Sequence, residues 1–184
     1  MHKKSKFGLE LIDSEEKTHR VQDVFSSVAA NYDLMNDLMS LGSHRLWKQR
    51  FYQVVKLTNS DVLLDIASGT GDIALHFARV NKGIHLTCLD PNKKMLDLAK
   101  DRFIDSGILE NINFITQPIE SFVKDNSFTC ATIAFGFRNF TNQKKSLKNI
   151  YTSLKVGGKI VIMDFKSPSN SIIKEIYEKY TDFV

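Results

Sequence analysis

Only two cysteines, three prolines and one tryptophan occur in 184 residues, and the formal net charge is +4. Each scarcity removes a class of answers. Cys88 and Cys130 fall inside apolar, strand-like runs and lack metal-ligand spacing, so they read as buried thiols of a reducing cytoplasm rather than as a disulfide or a metal site. The 25 basic and 21 acidic residues are interspersed, with no Lys/Arg run long enough to track a phosphate backbone, which argues against a nucleic-acid partner. No apolar stretch approaches the roughly 20 residues of a membrane-spanning helix, and Met1 to Arg20 is too charged for a signal peptide, so any membrane contact is peripheral. Linker-like, repetitive and low-complexity tracts are missing too. The length and the 42% hydrophobic content suit one domain with a sizeable core.

What is present is a change of period along the chain. Residues 1–20 are polar and aperiodic, which predicts a flexible end. Residues 21–57 form a helical cover: Val21, Val24, Phe25, Val28, Ala29 and Tyr32 share one helical face, and a second helix from about His44, capped by Ser43, carries Trp47, Phe51, Val54 and Val55. From residue 58 to 184, strand and helix alternate. Strands are predicted at 62–66, 84–89, 112–115, 128–135 and 159–165. Helices are predicted at 72–80, 91–105, with Pro91 in the first turn, and 142–154, ended by Gly157-Gly158. Such alternation implies right-handed crossovers and an α/β, doubly wound, mostly parallel sheet. A last amphipathic segment, Ile172 to Tyr180, closes the chain.

In that architecture a ligand lies beyond the carboxyl ends of the strands, where their order reverses. The stretch Asp65 to Asp72, DIASGTGD, occupies this place after the first of these strands. Gly69 and Gly71 permit a sharp turn and close approach of backbone to a ligand. Gly69-x-Gly71-x-x-Ala74 alone does not separate a nicotinamide dinucleotide from S-adenosylmethionine. Two acids favour the latter. Asp90 ends the second strand about 20 residues past the glycines, where a carboxylate accepts both ribose hydroxyls. Asp65, placed in the loop approaching the glycines, can meet a cationic amino-acid tail but would repel a pyrophosphate.

The blocks YDLMNDLMSLGSHRLW from Tyr32 to Trp47, LLDIASGTGD, TIAFGFRNF and LKVGGKIVIMDF resemble the ubiquinone/menaquinone-biosynthesis C-methyltransferases, from about His19 to the end. The resemblance implies a class I, Rossmann-like methyltransferase that moves the methyl of S-adenosylmethionine onto a ring carbon of a polyprenylated benzoquinol or demethylmenaquinol. It implies cofactor contacts at Thr70, at Asp90 with Pro91 beside it, at a pair after the third strand, and at a small polar residue after the fourth. Two departures stand out. Pro118-Ile119 replaces the usual Asn-Ala or Asp-Ala, which leaves the adenine amine to backbone or to Gln117, and Ala134 replaces a frequent Ser. Folds of this kind finish with an antiparallel hairpin that is missing from these 184 residues, so reduced activity is expected of this chain.

The chemistry itself sets further requirements. Ring carbon is a weak nucleophile, so its attack is helped by removing or polarising the proton of the ortho hydroxyl, with the donor methyl held in line roughly 3 Å away and water excluded. Arg138 and Asn139, after the fourth strand, are candidates to anchor a developing phenolate; arginine, with a pKa above about 12, is not a base. Tyr32, Asp33, Asn36 and His44 come from the cover, and His44 alone titrates near neutrality unperturbed. Met35, Leu38, Met39, Trp47 and Phe51 could form either core or a wall for a prenyl tail. A lipid substrate also calls for peripheral contact with the inner membrane face, or for a quinone-synthesis complex, with a homodimer as a further option. Competing readings are methylation of another small aromatic or lipid, and a non-catalytic cofactor-binding subunit.

Overall fold

A computed structural model describes residues 43–164, the segments 4–7 and 10–13, and the single positions 16, 20 and 23. The predicted helix face from Val21 to Tyr32, the loop that follows it and the segment after residue 164 lie outside the described residues. Near the N-terminus, β1 (Lys4–Phe7) and β2 (Glu10–Asp13) pair antiparallel, an ordered element where the sequence suggested a flexible end. Neither KSKF nor ELID alternates apolar with polar residues, so periodicity does not mark this hairpin.

Helix α1 spans Ser43–Val55, and then β3 (Val62–Ile66), α2 (Asp72–Val80), β4 (His85–Asp90), α3 (Lys93–Asp105), β5 (Ile112–Thr116), β6 (Phe128–Ala134), α4 (Gln143–Ser153) and β7 (Leu154–Met163) follow. A short 3-10 turn at Phe137–Asn139 leaves β6. The five long strands form one sheet in the order β5-β4-β3-β6-β7, every pairing parallel. The chain therefore winds outward from β3 one way through β4 and β5, returns, and winds the other way through β6 and β7. The order reverses between β3 and β6.

Period-two alternation assigns the core to two faces. Leu63, Leu86, Cys88 and Cys130 pack under α1, α2 and α3 with Phe51, Phe77 and Phe103. Leu64, Ile66, Leu89 and Ile133 pack on the other face with Phe122, Phe128 and Ile150 of α4. Both cysteines are buried free thiols. Tyr52 of α1 stacks on His76 of α2 with ring centroids 3.5 Å apart, which docks the covering helix on this first face.

Two element boundaries differ from the sequence reading. Asn92 caps α3, its side chain accepting from the Met95 amide at 3.2 Å, so the helix begins at Lys93 and Pro91 stands before the cap. Gly157-Gly158 does not end α4; β7 already begins at Leu154, and the glycines sit in a bulge where the register passes from Phe128↔Leu154 to Cys130↔Lys159. Gly157 has φ +80°, and a Cβ on Gly158 would lie 2.8 Å from the Lys155 carbonyl. Pairing with β6 claims residues that look, locally, like a helix stop.

Candidate active site

The reversal point carries the site. Beyond the ends of β3, β4 and β6 lies a mainly apolar cavity of about 110 Å³ walled by Leu89, Met95, Pro118, Ile119, Phe135 and Phe140. Asp90 and Asn139 supply polar groups at its edge, with Gly69, Pro91, Gln117 and Ala134 also lining it. A smaller cavity of about 40 Å³ adjoins it across Ala67, Gly69, Ala134 and Phe135, and is lined by Asp65, Thr70, Asp72 and Lys48.

Asp90 is buried at the end of β4. One carboxylate oxygen accepts from the Gly69 amide at 2.9 Å and the other from the Asn92 amide at 2.8 Å. These amides fix the carboxylate at the cavity edge while leaving each oxygen a second lone pair for a hydroxyl donor. Burial raises its pKa to about 6, against the lowering effect of the two amides. Gln117 donates its backbone amide to the Asp90 carbonyl at 3.1 Å, which brings the Gln117-Pro118-Ile119 segment against the same wall.

Asp65 lies within β3 and not in the loop after it, because the strand pairing runs to Ile66. Its side chain shares the face that carries Leu63. Thr132 of β6 donates to Oδ1 at 2.7 Å, and Oδ2 is buried without a hydrogen-bond partner. Burial raises this pKa to about 7, with Asp90 and Asp72 adding to the rise and the Thr132 hydrogen bond and the nearby Ala74 amide opposing it. Asp72, at the start of α2, is held by Lys48 and, at 2.9 Å, by Arg102, and together these cations outweigh burial and lower its pKa. Arg102 also donates to the Thr70 carbonyl at 3.1 Å and hydroxyl at 2.9 Å, so α3 braces the glycine turn.

The two glycines do different things. Gly69 (φ +54°) borders both cavities, and a Cβ there would meet nothing within 4 Å. Gly71 (φ +75°) lines neither cavity; a Cβ would lie 3.0 Å from the Ala99 Cβ and 3.3 Å from the Phe103 ring. Gly71 thus permits α2 to pack on α3.

The catalytic candidates divide. Asn139 lines the large cavity. Arg138 is an exposed neighbour whose amide donates to Asp164 Oδ2 at 2.9 Å and whose guanidinium is 3.7 Å from Oδ1. His44 is buried at the start of α1, one turn before Lys48, and lines neither cavity. Tyr32 lies outside the described residues, as do Asp33, Asn36, Met35, Leu38 and Met39. Sequence reasoning missed Lys48, Asn92, Ala67 and Phe135. Asn92 had a signal, an N-cap residue type two positions after a strand-ending acid.

The ubiE/COQ5 methyltransferase family matches residues 13–184. A ubiquinone/menaquinone biosynthesis C-methyltransferase of Cellvibrio japonicus is 43% identical over 182 residues, 97% of this chain and 73% of its own length. Its counterpart in Blochmanniella floridana is 41% identical over 178 residues, 95% of this chain and 70% of its own. The chain belongs to this methyltransferase family. Among solved structures, YcgJ of Bacillus subtilis superposes with a TM-score of 0.62 at 23% identity, over 71% of this chain and 55% of that one. An Aquifex aeolicus SAM-dependent methyltransferase gives 0.60 at 17% identity, over 67% and 66%. These likenesses concern the fold.

As a member of the family the chain is an S-adenosylmethionine-dependent methyltransferase, and the paired cavities fit that cofactor. An apolar slot edged by a clamped carboxylate suits an adenosine, and the Asp65 oxygen without a partner suits an ammonium in the adjoining space. A buried acceptor left unsatisfied costs about 1–3 kcal/mol. Met95, Pro118 and Ile119 line the slot with apolar groups, and Ala134, lacking a hydroxyl, adds none of the hydrogen bonding that a serine would.

Proposed function

We propose that this chain methylates a ring carbon of a polyprenylated benzoquinol or of demethylmenaquinol, in ubiquinone or menaquinone biosynthesis. The observation that carries the reading is the family match over residues 13–184, which runs from the N-terminal cover through β7 and is not confined to the glycine turn. When bound, the cofactor supplies an electrophilic methyl on a sulfonium. The chain's own groups do the rest. Asp90 accepts from hydroxyls and fixes depth in the slot. Phe135 and Phe140 line the apolar cavity and exclude water from one side of it. Asn139 offers an amide donor at the same edge, and Arg138, kept in place by Asp164, favours loss of the quinol hydroxyl proton to solvent by stabilising the oxyanion that results; that oxyanion releases electron density to the ring carbon as it takes the methyl, and the ring proton then leaves to solvent. The prenyl tail keeps such a substrate in a bilayer, and no helix among the described residues is long and apolar enough to cross one. A bilayer-held substrate of this kind calls for an encounter at the membrane surface.

The test is product analysis with S-adenosylmethionine and short-tailed quinols of both ring types. A new methyl on ring carbon is expected. Arg138→Ala should lower turnover by about 10²-fold or more while S-adenosylhomocysteine still binds. Methylation on oxygen, or turnover unaffected by Arg138→Ala, would refute the substrate class or the role of the arginine respectively.

A further inference from the structure

The smaller cavity gathers charges of both signs that the apolar slot does not use. Asp65 brings a buried oxygen without a protein partner. Lys48, on α1, has a side chain only 12% exposed and brings an ammonium that rests on Asp72 Oδ2. Asp72 does not depend on this contact, since Arg102 holds its other oxygen at 2.9 Å. An ammonium has three donors, so Lys48 can take a second acceptor without stranding Asp72. Ala67, Gly69, Ala134 and Phe135 border both cavities, so one ligand can reach from the slot into this charged space. A zwitterionic amino acid matches it, the ammonium to Asp65 and the carboxylate to Lys48.

We propose that Lys48 binds the α-carboxylate of the cofactor's amino-acid end, which makes helix α1 part of the cofactor site. This rests on the cofactor reading given above. A flexible stem ending in a compact charge suits a group that must shift between Asp72 and an incoming carboxylate. The residue was invisible to glycine-turn reasoning because it lies 24 positions before Asp72 in the chain.

The test is a calorimetric cycle on the 184-residue chain with S-adenosylhomocysteine and its decarboxylated analogue, which keeps the ammonium and lacks only the carboxylate. The native chain should prefer the carboxylate-bearing ligand roughly tenfold or more, as a charge-assisted hydrogen bond requires. In Lys48→Met the two ligands should converge, and in Lys48→Arg most of the preference should return. Equal affinity of the native chain for both ligands overturns the proposal with no variant needed. A preference that survives Lys48→Met overturns it as well, by assigning the carboxylate to another group. A native chain that binds neither ligand instead overturns the cofactor reading, and the proposal with it.

Discussion

An Asp65→Asn replacement separates the stability of the fold from the charge requirement of the site. Burial raises the Asp65 pKa from 3.8 to about 7, the Thr132 hydrogen bond and the nearby Ala74 amide opposing the rise. Between roughly pH 4 and pH 7 the folded state therefore holds a proton that the unfolded state has released, and stability falls as pH rises. The sign follows from a folded pKa above the unfolded one: the contribution is complete below the unfolded value and is lost as pH climbs through about 7. At about 1.36 kcal/mol per unit, the ionised carboxylate costs the ligand-free fold roughly 4 kcal/mol at pH 8 and roughly 1.5 kcal/mol at pH 5. Asparagine keeps an oxygen for Thr132 but puts an amide nitrogen where Oδ2 has no partner, a cost of about 1–2 kcal/mol. The variant should therefore be about 2–3 kcal/mol more stable at pH 8 and within about 1 kcal/mol of the native chain at pH 5. Urea unfolding of ligand-free protein at the two pH values measures this, read from midpoints at unchanged slope. A stability difference that stays constant from pH 5 to pH 8 would mean that Asp65 does not titrate in this window, and the account of its burial would fall.

The same substitution at Asp90 should behave differently, because both of its oxygens accept backbone amides. Asparagine must turn an amide donor towards one of those N–H groups, so at pH 4, where the raised Asp90 pKa adds little, Asp90→Asn should destabilise by about 1–3 kcal/mol and weaken S-adenosylhomocysteine binding by roughly tenfold or more; a stabilised variant at that pH would contradict the clamped geometry. The glycines offer a paired comparison. Gly71→Ala meets both a left-handed backbone and the Ala99 Cβ at 3.0 Å, and should cost about 2–4 kcal/mol, or roughly 5–15 °C in Tm. Gly69→Ala meets only the backbone penalty, about 1–2 kcal/mol, and should instead lose cofactor affinity as its methyl enters the cavity space. Equal thermal shifts for the two variants would refute the division of roles.

Much of the sheet was legible because its signals are local. Strand β3, the glycine turn, α2 and β4 follow one another with changes of period that can be read within about ten residues, and Asp90 is placed by its spacing from the glycines. Where long-range pairing decides, sequence reading fails. Gly157-Gly158 after an amphipathic run has the form of a helix stop, and only the demand of β6 for a partner from Leu154 onward turns it into a bulge. Asp65 falls inside the strand expected at 62–66 and also reads as part of the loop approaching the glycines; pairing through Ile66 keeps it in β3, with Thr132 as a cross-strand neighbour. Gly71 adds a demand that the motif does not encode: its lack of a Cβ also serves a helix contact with α3.

The geometry of the crevice rests on residues that no pattern marks. Ala67 (φ 52°) and Phe135 (φ 59°) both adopt left-handed backbone, and they come directly after β3 and β6, the two strands that flank the reversal of order. Neither residue type favours that conformation, which costs roughly 1–2 kcal/mol at each. Hydrogen bonds hold both turns open: the Ser68 amide donates to the Leu89 carbonyl of β4 at 3.3 Å, and the Phe135 amide to the Met163 carbonyl of β7 at 2.7 Å. The turn after β3 is thus fastened to β4 and the turn after β6 to β7. Between them, Gly136 closes against Ala67 so tightly that a Cβ would come within 2.5 Å of the Ala67 Cβ. A larger side chain at position 67 or 136 would wedge these turns further apart, whereas small ones seal the floor and leave the space above it to the ligand. Ala67 and Phe135 border both cavities, so the two left-handed positions stand where the apolar slot meets the charged space beside Asp65 and Lys48.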